Sequence, residues 1–144
     1  MSAAHPRWPP SATIAPVTDP DAIAPDGSEV RPLSRTGAGS AARFRLAAGA
    51  TAVAVRHRTV DEIWFVVAGR GEMWLADDDG GRVVALQPGV CVAIGRGTAF
   101  QFRADDGLDV FGVTMPPWPG EGEAVRVDGP WAPTVQPGPG LVGA

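Results

Sequence analysis

From position 40 to 115 the chain is cut into short stretches by glycine- and proline-bearing turns, and this punctuation restricts the fold more than any other feature. Turn signals at 47–50, 69–71, 77–81, 87–89, 95–97 and 105–107 leave only strand-length segments between them. Ser40–Leu46 alternates, with Arg43 and Arg45 on one face and Phe44 and Leu46 on the other, the pattern of a half-buried strand. Segments 51–55, 62–68, 72–76, 82–86, 90–94, 99–103 and 108–115 read as further strands. Residues 62–68 are β-branched and aromatic on both faces. No helical period and no internal repeat interrupts the series. Short strands at this spacing predict an all-β antiparallel sandwich or barrel.

The ends differ from the middle. Residues 1–30, rich in Pro, Ala and Asp, read as an extended N-terminal arm in which Trp8 is either an anchor or exposed and His5 is solvated. The barrel is expected over 31–115. Residues 116–144 form a Pro- and Trp-rich tail predicted to pack on the barrel, with 116–119 a rigid segment presenting Trp118. Within it, 124–127 is an edge-strand candidate, Trp131 a pin for the tail, and the last residues are expected to fray. A net charge of −4 argues against a nucleic-acid surface, and no apolar run is long enough to cross a bilayer. No secretory leader is read at the N-terminus, and one cysteine, Cys91, excludes an internal disulfide, so a cytoplasmic location is expected.

The residue inventory narrows the chemistry. The chain has no Lys, Tyr or Asn, and no Ser between Gly49 and Met115. A lysine Schiff base, a tyrosine acid and a serine triad in the central domain are thereby excluded. Outside the arm the only histidine is His57, and Glu62 follows it across the polar turn at 56–61. If the flanking strands pair, the two meet at one end of the β-structure. A His–Glu pair in a dry pocket suits general acid–base catalysis. A buried polar pair that only fixes local structure is the competing account.

The same spacing resembles the cupins, small antiparallel jelly-roll barrels. Their first motif runs from a glycine through two alternate histidines and a glutamate to a closing glycine. On this chain those positions are Gly49, Val55, His57, Glu62 and Gly69. The second motif begins at Gly89, places Gly95 and Gly97 at its proline and glycine, and puts Phe100 at its histidine and Ala104 at its asparagine. The wording RHRTVDEIWFVVAGRGEMW is similar to small bacterial single-domain cupins. The resemblance implies a jelly-roll barrel over roughly 40–115 and a site in its mouth. In the family that site usually holds a divalent metal on three histidines and a glutamate. Here only His57 and Glu62 of that set remain, so a divalent metal is possible but not favoured, with Cys91, Asp61 and Thr59 as additional candidate ligands.

In the cupin register Val55, His57, Glu62, Trp64, Phe100 and Phe102 point inward, with Thr51, Val53 and Val66 on the same faces. His57 and Glu62 are the candidate catalytic residues and the tentative metal ligands. Val55, Trp64, Phe100 and Phe102 are the candidate substrate-binding residues, suited to a flat or apolar metabolite rather than a bare sugar. These aromatics either line a cavity or simply fill the barrel. Arg56 and Arg58 should face outward. Ile63, Phe65 and Val67 form an apolar outer face, which the resemblance expects a second subunit to cover in a homodimer and which the tail is an alternative to cover. Three functions stay open: a metabolite-binding cupin performing metal-independent isomerisation, cyclisation or dehydration; a metal-dependent oxygenase or sugar-isomerase-like cupin; and a non-catalytic binding module.

Overall fold

The computed structural model describes residues 22–143, so the first part of the N-terminal arm lies outside the described residues. Eleven strands follow in order: β1 (Ala22–Ile23), β2 (Glu29–Arg35), β3 (Ser40–Leu46), β4 (Val55–His57), β5 (Asp61–Ala68), β6 (Gly71–Asp77), β7 (Gly80–Leu86), β8 (Cys91–Ile94), β9 (Ala99–Ala104), β10 (Leu108–Met115) and β11 (Ala124–Arg126). They form two antiparallel sheets, one ordered β1-β2-β3-β10-β5-β8 and the other β11-β4-β9-β6-β7. This is the predicted all-β jelly-roll barrel.

The inward face of β5 carries Glu62, Trp64 and Val66, and that of β10 carries Leu108, Val110, Gly112 and Thr114. Phe100 and Phe102 from β9 and Met73 and Leu75 from β6 meet them from the other sheet. Trp64, Phe100 and Phe102 are each about 1% exposed. Burying a ring of this size stabilises the fold by roughly 1.5–3 kcal/mol. Gly69 closes the turn after β5 with φ of 87°, and a Cβ there would sit 1.9 Å from the Gly107 carbonyl oxygen. The tight packing of two turns thus admits only glycine at this position.

Two expectations are corrected. Residues 51–55 do not form a regular strand; only Val55 joins β4. The preceding backbone is pulled between partners: Ala52 N donates to Phe102 O, Val53 N to Asp26 O, and Ala54 O accepts from Val127 N. The hairpin turn read at 77–81 is shorter, because β6 and β7 pair as far as Asp77 opposite Gly80. The described end of the extended arm lies on the domain, where β1 and the start of β2 add to the sheet.

The tail crosses the barrel and pins itself there. β11 pairs with β4, placing Ala124 opposite His57. The Gln101 side chain donates to the carbonyls of Ala52 (2.9 Å) and Trp131 (2.8 Å) and accepts from Trp131 N (3.1 Å). Arg103 lies 4.0 Å above the Trp131 ring and also bonds Glu72. Ile63, Phe65 and Val67 stay exposed on the outer face, and the tail does not cover them. No described helix is long and apolar enough to cross a membrane.

Candidate functional site

His57 and Glu62 come from different sheets. His57 ends β4, and Glu62 lies near the start of β5, so the polar turn 58–60 carries the chain from one sheet to the other. Glu123 ties that turn down. Its carboxylate accepts from Thr59 N (2.7 Å), Thr59 Oγ1 (2.5 Å) and Val60 N (3.0 Å), while its carbonyl accepts from Arg58 N. Burial works against this carboxylate, but the hydrogen bonds from Thr59 and Val60 prevail and hold its pKa below the usual range.

The turn brings His57 Nδ1 to 3.6 Å from Glu62 Oε1. Both side chains are almost fully buried, and Nδ1 has no hydrogen bond. Desolvation lowers the His57 pKa to about 4, with the negative charge of Glu123 opposing the shift. Desolvation raises the Glu62 pKa to about 8; the nearby Trp64 N–H opposes this and Asp26 adds to it. Near neutral pH the pair is therefore a neutral imidazole beside a carboxylic acid. Burial overrides pairing because neither ion has enough hydrogen bonds to replace its lost water.

Around the pair lies a narrow, partly open cavity of about 50 Å³. Val55, Trp64 and Phe100 line it, together with Phe44, Trp118, Asp26, Ser40 and Thr114. Phe102 does not; it stands behind Trp64, edge to face at 4.8 Å, as part of the core. The His57 ring sits edge-on to Phe100 at 5.2 Å and to Trp118 at 5.0 Å. Phe44 and Trp64 stack at 5.7 Å across Gly112, whose missing side chain makes room for them.

One polar row crosses three strands on the inner face. Glu62 on β5 is opposite Thr114 on β10, which is opposite Ser40 on β3. The Ser40 and Thr114 hydroxyls are 2.6 Å apart, and Trp118 N donates to Ser40 Oγ at 3.0 Å. Either hydroxyl can donate in this contact, because Ser40 Oγ keeps a second lone pair beside the one that takes the Trp118 N–H. Asp26 reaches the cavity from the β1–β2 turn. Burial raises its pKa against the opposing pull of the Ser28 hydroxyl and amide, both of which donate to Oδ1.

Asp26, Trp118 and Glu123 extend the predicted set. The rigid segment presenting Trp118 was legible, but its meeting with His57 depends on the return of the tail. Asp26 in a Pro-Asp-Gly-Ser turn reads as an exposed turn residue, and no local signal marks its burial.

The residues present do not fit the metal centre that such a barrel implies. Val55 and Phe100 offer no donor, which leaves one imidazole nitrogen and one carboxyl. Cys91 is exposed on the outer side of β8, Asp61 accepts from Arg96 N outside the barrel, and Thr59 is bonded to Glu123. Among the described residues no three His, Cys, Asp or Glu side chains converge. Arg56 and Arg58 are exposed, and among the described residues no Arg lines the cavity.

The comparisons agree with this architecture. The family described as Cupin domain matches residues 42–111. KdgF from Halomonas sp. is similar at 22% identity and a TM-score of 0.59, over 65% of this chain and 82% of that one. A variant of oxalate decarboxylase from Bacillus subtilis matches at 15% identity and a TM-score of 0.58, over 65% of this chain and 26% of that one. The coconut allergen cocosin matches at 20% identity and a TM-score of 0.56, over 72% of this chain and 29% of that one. At such identities these likenesses show a shared fold. A search of curated proteins finds no match. With the family model matching residues 42–111, the motif glycines at their turns and His57 and Glu62 facing inward, this stretch of the chain is a cupin domain.

Proposed function

We propose that this cupin binds a small, flat, largely apolar metabolite in its barrel and transfers protons on it without help from a metal. The observation that carries the reading is the neutral pair: His57 Nδ1, without a hydrogen bond, 3.6 Å from the buried Glu62 acid inside an aromatic cavity. A neutral imidazole is a proton acceptor and a carboxylic acid a donor, so at neutral pH both partners are in the state their role needs. Water exclusion by Trp64, Phe100 and Trp118 strengthens their interaction with a bound molecule. Isomerisation, cyclisation and dehydration all need such a donor and acceptor, and none needs an oxidant.

The test is solvent deuterium incorporation into a panel of small carbon acids, followed by NMR. Wild type should accelerate exchange on at least one member, and His57→Gln should lose about 10²–10⁴-fold of that rate. Equal exchange by His57→Gln would sink the acid–base reading and leave a binding module.

A further inference from the structure

Resting on the reading of the cavity as a small-molecule site, we infer that residues 116–120 are a strap that swings Trp118 off the barrel to admit the ligand and back to enclose it. Size is the first reason. The cavity as it stands holds about 50 Å³, room for a few waters. Sites that enclose a metabolite run to roughly 300–1,000 Å³. A flat molecule therefore enters only where a wall gives way.

The walls differ in how they are held. Trp64 and Phe100 are each about 1% exposed and belong to the packed core between the sheets. Phe44 lies on β3, paired on both sides by β2 and β10. Asp26 sits in the β1–β2 turn, where its carbonyl accepts from Val53 N (2.8 Å) and the Ala24 carbonyl accepts from Gly138 N (3.0 Å). Trp118 is held differently. It is half-buried, lies on no strand, and comes from the segment between β10 and β11. Pro116, Pro117 and Pro119 have no N–H, so sheet pairing cannot fasten this segment.

The anchors stand at its two ends. Met115 pairs with Asp61 at the close of β10. On the other side Gly122 N donates to Gly140 O (3.1 Å), and Glu123 holds the 58–60 turn. Between them Trp118 N donates to Ser40 Oγ (3.0 Å), and its ring stands edge-on to His57 at 5.0 Å. Gly120 bends the chain with φ of 105°, and a Cβ there would meet nothing within 4 Å. The strap thus has fixed ends, a stiff proline arm that carries the ring, and open space at its bend. Swinging out breaks the bond to Ser40 and the ring contact with His57, and a flat ligand beneath the returning ring restores the latter kind of contact.

The test follows the strap with no ligand present. Val55→Cys places a thiol in the cavity wall, Cys91→Ala removes the exposed one, and modification by methyl methanethiosulfonate is timed by mass spectrometry. Labelling should be slow in this background. It should quicken about fivefold when Ser40→Ala releases the Trp118 N–H, and about 10–100-fold when Trp118→Ala removes the cover. Leu86→Ala, a core change on β7, which does not line the cavity, controls for labelling through unfolding. Urea unfolding ranks the stability of each variant. If Leu86→Ala lowers stability and leaves the rate in place, the strap stands. Labelling that tracks stability across the whole set means that the thiol is reached by unfolding, and this overturns the strap. Rates that ignore both Ser40→Ala and Trp118→Ala overturn it as well. The readout needs neither ligand nor turnover, so its failure is separate from that of the proton-transfer reading, which falls if His57→Gln exchanges as fast as wild type.

Discussion

His57 and Glu62 face each other from opposite sheets of the barrel, and their 3.6 Å approach is held by a carboxylate that belongs to neither. Glu123, arriving from the tail, gathers the amides of the turn between them. The site is thus assembled by three separate segments of chain, and its protonation follows from burial rather than from pairing.

The neutral pair gives a distinctive pH dependence. His57, depressed from 6.5 to about 4, makes the unfolded chain the better proton binder over that interval, so its contribution to stability rises with pH. Glu62, raised from 4.5 to about 8, does the reverse: its contribution is complete below 4.5 and is lost as pH rises to about 8. Asp26, also raised, acts with Glu62. The slopes oppose one another up to 6.5, and above that only the loss remains. Urea unfolding should therefore show stability falling between pH 6.5 and 8, and Glu62→Gln should flatten this decline. An unchanged slope in Glu62→Gln would sink the assignment of a buried acid.

Much of this architecture is legible in the sequence. Strand-length segments and glycine turns gave β3 and β10 to the residue and most others within one or two positions. β2 was hidden because Pro32 and Ser34 break its alternation; the structure absorbs them in an irregularity between Pro32 and Ser34. The inward set of Val55, His57, Glu62, Trp64 and Phe100 followed from strand parity alone. Asp26, Trp118 and Glu123 did not, because each reaches the cavity or the turn beside it through a return of the chain that no local pattern encodes.

Glu123 offers a check on the tail's role. Glu123→Ala removes the acceptor of three hydrogen bonds and leaves two backbone amides unpaired, at a cost of about 2–3 kcal/mol. Glu123→Gln keeps the shape but removes the charge that favours protonated His57. Its His57 should titrate below the wild-type value of about 4, measured by NMR of the imidazole carbons. An upward shift would contradict the direction of that coupling.

Gly112 is required by what stands on either side of it. A Cβ there would meet Phe44 Cε2 at 2.9 Å and Trp64 Cδ1 at 3.3 Å. Gly112→Ala should separate the stacked rings, change Trp64 fluorescence and destabilise the barrel by about 1–3 kcal/mol. Wild-type stability and emission in this variant would mean that the rings move aside freely and that the stack does not shape the cavity.

The last prediction turns the metal misfit into a construction. Val55 and Phe100 are opposite each other across β4 and β9, and the Phe100 ring lies 5.2 Å from that of His57. Replacing both with histidine would complete the ligand set that the cupin motif implies, three imidazoles and the Glu62 carboxylate. The apo double variant should lose about 3–5 kcal/mol, because the packing of Phe100 goes with its ring. Added nickel or manganese should restore part of this, since saturation at a hundred times Kd is worth about 2.7 kcal/mol. Wild type, with two donors, should show no thermal shift at the same metal concentration. Its Glu62 would have to surrender a proton that burial holds up to about pH 8. A shift in wild type equal to that of the folded double variant would show that His57 and Glu62 suffice for a metal, and the proton-transfer reading would have to give way.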